Sequence, residues 1–150
     1  MGTVDDLVSL SDFAWERLRN RMGGLMDAEL RWRPAPADAD ISLEWRLKHI
    51  ATLLAEDRNA LWLEQSPSST PLPEGRGGAV PMLELLDASY AVWRKVLTSC
   101  TDESLASPIG PRAGFYAGDT RRSFVLHILD ELIHHGAEAA LLRDLYGHRA

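Results

Sequence analysis

The segment HILDELIHHGAEAALLRDLYG, His127 to Gly147, sets His127, Glu131, His134 and His135 within nine residues of an Ala- and Leu-rich run. Carboxylates and imidazoles are metal donors and proton carriers, so their angular placement decides what they can do together. At about 100° per helical residue, Glu131, His135, Glu138, His127 and His134 share one side. Val125, Leu129, Leu132, Ile133, Gly136 and Ala140 share the other. A surface helix would also have two such sides. Here, however, Phe124 precedes the polar patch and Leu142 and Leu145 follow it, and a solvated face would more often carry long Lys, Arg and Glu chains than imidazoles. The pattern therefore predicts a polar site inside a helical bundle, closed by apolar ends.

A buried Glu131 needs compensation, because an unpaired carboxylate away from water costs several kcal/mol or takes up a proton. A divalent cation is one solution. Residues at i and i+4 are about 6 Å apart along the axis and point the same way, which suits two ligands of one ion. Glu131 and His135 have this spacing. His127 and Glu131 have it too, but His127 and His135 are two turns apart and cannot both reach the same ion.

A third ligand must come from another helix, where His49 is the available imidazole. A lone histidine among Trp45, Leu53, Ala60 and Leu63 also fits a hydrogen-bonded core residue; an incomplete two-ligand site is what favours ligation. His49, Glu131 and His135 would leave one position open for water or substrate, the pattern of a catalytic site. Zinc and nickel both suit such a donor set. His134 and Glu138 are candidates for relaying a proton or for orienting a ligand. Trp45 is a candidate cavity wall. Arg121, beside Arg112 and Arg122, is a candidate contact for a substrate carboxylate. Glu131 and His134 form a single ExxH pair with no second copy, as a di-iron bundle site would require, and HExxH is absent.

Four amphipathic segments must position these groups, and no sustained alternation of β type occurs. The first covers about Val4 to Met22, with Leu7, Leu10, Ala14, Leu18 and Met22 on one face and Gly23-Gly24 as its stop. A connector with Pro34 and Pro36 follows, in which Asp27 to Arg31 has room for one helical turn. The second segment starts at Ser42 as N-cap and runs to about Leu63. The third spans about Pro81 to Ser99, with Pro81 in its first turn. The fourth begins at Asp119 or Thr120 and ends near Tyr146, with Gly147 expected as a left-handed stop. SPSSTPLPEGRGG, Ser66 to Gly78, reads as an exposed loop. The expected architecture is a single all-α domain, a four-helix bundle.

Composition narrows the partners. A net charge of −6 without a basic cluster argues against nucleic acid. No apolar run approaches the roughly 20 residues of a membrane span. One cysteine and an N-terminus without a secretory pattern lead us to expect a cytoplasmic location. The apolar far side of the fourth segment suggests a homodimer.

LMDAELRWRP, SLEWRLKHIATLL and HILDELIHHGAEAALLRDLYG together resemble the DinB-like superfamily of four-helix metalloproteins, along nearly the whole chain. That superfamily includes thiol-dependent transferases and the mycothiol-dependent maleylpyruvate isomerase. The resemblance implies a bundle, often dimeric, with one divalent metal held by a histidine of the second helix and a pair spaced by four on the last. Those positions fall on His49, Glu131 and His135. Many members have histidine where this chain has Glu131; a glutamate there resembles the maleylpyruvate isomerase type and implies a mycothiol-like thiol as cosubstrate. The function expected is metal activation of such a thiol, or of water, for attack on a small electrophilic substrate. The alternative is a non-catalytic dimeric bundle that binds a small ligand or a protein partner.

Overall fold

The computed structural model describes residues 1–150. It is all-helical, with long helices α1 (Thr3–Arg21), α3 (Leu43–Ala55), α5 (Ala79–Thr98) and α7 (Arg121–Gly147). Short helices α2 (Asp27–Arg31), α4 (Asp57–Trp62) and α6 (Asp102–Ala106) and a 3-10 turn (Pro111–Tyr116) lie between them. Each of α1 and α3 packs against both α5 and α7, so α1 and α3 occupy one diagonal of the bundle and α5 and α7 the other.

Side-chain pairs fix the directions. Arg19 pairs with Asp87 and Asp12 with Arg94, so α1 and α5 are antiparallel. Leu18 lies against Gly136, and Arg21 pairs with Asp144 further along, so α1 and α7 are parallel. His49 faces Glu131 and Arg46 faces Glu138, so α3 and α7 are antiparallel. It follows that α3 and α5 run the same way, and the chain must return along the whole bundle between them. The Pro- and Ser-rich stretch before Gly78 makes that return, which is why it is long.

Helix starts follow capping chemistry. Ser42 accepts from the Trp45 amide at 3.2 Å and Thr120 from the Ser123 amide at 3.1 Å. At α5 the cap comes from another element: the Asp27 carboxylate accepts from the Ala79 amide at 2.8 Å, starting the helix two residues before Pro81. Gly78 makes this possible, since it sits at φ 149° and a Cβ there would lie 2.6 Å from an Asp27 oxygen.

Three local expectations are corrected. The second segment breaks at Glu56 (φ −58°, ψ 133°) instead of continuing to Leu63, and the buried Asn59 amide donates to Leu53 O at 2.7 Å, binding a carbonyl freed by the break. Gly147 is the last helical residue and is not left-handed; the terminal amide of His148 returns to Asp144 O instead. On α1, Leu10 is exposed and Ser11 takes the core position. The Trp93 indole donates to the Ser11 oxygen at 3.0 Å, so this hydroxyl is satisfied within the core.

Candidate metal centre

The candidate site lies in the groove between α3 and α7. Leu47, Ile50 and Leu54 of α3 and Val125, Ile128, Leu129 and Leu132 of α7 are buried in the core, which turns His49 and Glu131 toward the groove. His49, Glu131 and His135 each present a donor atom, and these atoms lie within 4.8 Å of one another. His135 Nε2 is 3.2 Å and His49 Nε2 is 3.7 Å from the same Glu131 oxygen, Oε2. Donors around a tetrahedral ion with bonds of about 2.0–2.1 Å sit about 3.4 Å apart, so this spacing fits a zinc-sized cation. Two imidazoles and one carboxylate also match the donor chemistry of such an ion.

The rest of the patch holds these donors in place. Glu138 Oε2 lies 3.0 Å from His135 Nδ1 and Glu131 Oε2 lies 3.2 Å from Nε2, so each ring nitrogen faces a carboxylate; with an ion at Nε2, Nδ1 would carry the proton and Glu138 would accept its hydrogen bond. Glu138 also accepts from His134 Nε2 at 2.8 Å and forms an ion pair with Arg46 of α3. Burial alone would raise the Glu138 pKa, but His135, His134 and Arg46 together hold it below the ordinary carboxylate value, so Glu138 stays ionised. Trp45, one turn before His49, stacks on its ring at 4.7 Å and meets the His135 ring edge-on at 5.9 Å. The Arg46 guanidinium lies over the Trp45 ring as well, 4.6 Å from its centroid.

The patch is shallower than expected. Side-chain exposure is 37% for His49, 27% for Glu131 and 14% for His135, so the cluster lines a groove that opens to solvent and is not sealed in the bundle. Phe124 and Leu142 are buried at its ends, while Leu145 is 48% exposed and closes nothing. His134 and His127 are exposed, His127 one turn from Glu131. Arg121 is elsewhere. It is buried and pairs with Glu64 at 2.7 Å, and ten helical residues separate it from Glu131, about 15 Å along the axis. Arg46 was not anticipated from sequence; its spacing of three from His49 was the only signal, and it says nothing of a partner across the groove.

A sequence model of the DinB superfamily matches residues 11–139. The chain belongs to the DinB superfamily. Among solved structures, the DinB-type fold is shared with a conserved protein from Enterococcus faecalis, with a TM-score of 0.71 and 20% identity over 99% of both chains. That likeness is one of fold. No curated protein matches this DinB chain. As a DinB protein it is all-helical, carries a candidate His/Glu ligand group, and has no helix long and apolar enough to cross a membrane.

Proposed function

We propose that this chain is a metal-dependent enzyme in which His49, Glu131 and His135 hold one divalent ion, zinc or nickel. Bound there, the ion would lower the pKa of a thiol or water near it and polarise an electrophile. The observation that carries this reading is the meeting of three donor atoms from two helices around one point, on the solvent-open side of the groove. A structural metal site would be closed by four protein ligands. Here the three donors leave a side open, and the groove gives a small molecule access to it.

The chain's own residues do the positioning. Glu138 orients the His135 ring through Nδ1, Arg46 keeps Glu138 charged, and Trp45 restricts the His49 ring by stacking. Together they hold the donors before any ion arrives, which lowers the ordering cost of binding. His134 is the exposed proton carrier nearest the ligands, and its bond to Glu138 connects it to them. Because Glu131 stands where the mycothiol-type members resemble it, a low-molecular-weight thiol is the favoured cosubstrate and a small electrophile the acceptor, with hydrolysis as the variant in which water replaces the thiol. Thiol-dependent loss of a model electrophile, assayed with and without a chelator, tests this. We expect turnover that chelation abolishes and added zinc or nickel restores; metal-loaded protein that accelerates neither thiol transfer nor hydrolysis would leave only a binding role.

A homodimer is part of the proposal, formed through the apolar far side of α7 where it borders α1. That side is partly covered by α1: Leu129, Leu132 and Gly136 are buried, and Leu18 of α1 lies against Gly136. What faces outward is a groove of about 500 Å³ between α1 and α7, lined by Ile133, Gly136, Ala137, Ala140 and the exposed Leu141, with Arg17, Arg21 and Asp144 adding charge to it. Small residues there would let a second helix approach closely. The same surface supports the rival reading, a dimeric bundle that binds a ligand or partner without turnover.

A further inference from the structure

A second cleft, of about 370 Å³, opens between α4, the 3-10 turn and α7. Its walls are aromatic. Trp62 and Phe124 face each other at 4.8 Å between centroids, and Tyr116 adds a third ring 6.4 Å from Trp62. The Arg58 guanidinium is held over both Trp62 and Phe124, 5.2 and 5.5 Å from their centroids. Its charge is poorly answered by the protein. Arg58 Nε is enclosed without a hydrogen-bond partner, and the terminal nitrogens, the exposed part of the group, have only a 3.4 Å contact to the half-exposed Glu56. His127 lines the same cleft and is one helical turn, about 6 Å, from Glu131, so the cleft lies beside the ligand cluster along α7.

We propose that this cleft is the substrate seat and that it takes a small, flat, apolar monocarboxylate: the rings hold its body, Arg58 answers its charge, and its other end reaches the ligand cluster. A flat apolar body gains by stacking on the rings, and an anion supplies the acceptor that the terminal guanidinium nitrogens lack. The exposed carboxylate of Asp119, which also lines the cleft, sets a limit, because its repulsion grows with ligand charge and disfavours a dianion such as a phosphate monoester more than a monocarboxylate. This inference deepens the proposed function and rests on it only for the direction in which the ligand points.

Benzoate serves as the probe, titrated against the metal-loaded chain and the His49→Ala variant and followed by the ¹⁵N-indole resonance of Trp62, assigned with Trp62→Phe. Saturable shifts of the Trp62 signal are expected in both proteins, with benzyl alcohol and phenyl phosphate each binding at least tenfold more weakly. Arg58→Gln should weaken benzoate at least tenfold. If that variant fails to fold, Ser123→Trp, an exposed lining position, should block the cleft while Arg58 stays in place. Equal benzoate affinity in Arg58→Gln, a shift confined to other indoles, or stronger binding of phenyl phosphate would overturn the proposal. Metal content measured on the same samples keeps the two readings apart: Arg58-dependent binding to a chain that takes up no metal would sink the metal reading and leave the substrate seat standing.

Discussion

At the scale of single residues, the account depends on Glu138 as much as on the ligands. A ligand histidine is useful only in the right tautomer, and the 3.0 Å contact of Glu138 with His135 Nδ1 favours it once an ion takes the Nε2 lone pair. Glu138→Gln keeps the shape but can turn its amide nitrogen to Nδ1, so the lone pair is no longer fixed toward Glu131. We expect metal affinity to fall roughly 10- to 100-fold, as for other partners of metal-bound histidines, in competition titrations with a chromophoric chelator. An unchanged affinity would mean that Glu138 belongs to Arg46 and His134 alone. Cys100 is no nucleophile in this scheme, since burial pushes its thiol up to about 11 and its hydrogen bond goes to Val96 O.

At the scale of elements, α2 is the piece that ties the bundle's corner. Asp27 caps α5, while Glu29, 8% exposed, receives the Arg143 guanidinium of α7 at 2.9 Å. Burial would raise the Glu29 pKa, but the Arg143 and Met26 hydrogen bonds outweigh it and hold the group below its ordinary 4.5. A depressed carboxylate contributes stability above its unfolded pKa and loses it as pH falls through the folded value. Urea midpoints should therefore decline from about pH 5 downward, and Glu29→Gln should flatten that decline. Glu29→Ala should cost about 3 kcal/mol in urea unfolding at neutral pH, because Arg143 then keeps only carbonyl partners. A loss below about 1 kcal/mol would place the pair with ordinary surface ion pairs. Ser42→Ala, removing the cap that starts α3, should cost about 1 kcal/mol in the same experiment.

The elements also show what a sequence can and cannot disclose. Periodicity and capping residues located all four long helices, because burial of one face is a property of each segment alone. The spacing of Glu131 and His135 was legible for the same reason. The break at Glu56 was not, since no Gly or Pro marks it and its stabilising bond comes from Asn59, whose burial depends on the assembled bundle. Nor was the depth of the site legible. Angles on a helical wheel give direction but not the distance to solvent, so a groove position was read as an interior one. Arg121 illustrates the limit most sharply: an arginine at the start of α7 has the chemistry of a carboxylate clamp, and the fold spends it on Glu64.

For the whole molecule, the parallel run of α3 and α5 places an irregular return segment outside the packed core, with Pro71, Leu72, Pro73 and Glu74 all exposed. Trypsin should cut first at the exposed Arg76, leaving two fragments that stay associated by size-exclusion chromatography. Separation after the nick would show that the return segment itself holds α5 in place. The chain should elute as a dimer, and Leu141→Glu, which puts a charge at the rim of the α1–α7 groove, should return it to a monomer without loss of helicity. A wild-type chain monomeric at high micromolar concentration would rule that surface out as an interface between copies.

The most direct test of the central claim is elemental analysis of untagged protein after dialysis against trace zinc and nickel at neutral pH. The account predicts about one equivalent of divalent metal per chain in the wild type, and a loss of nearly all of it in Glu131→Ala, His49→Ala and His135→Ala variants that keep wild-type helicity. Wild-type protein that stays metal-free, or retention of a full equivalent in all three variants, would contradict it.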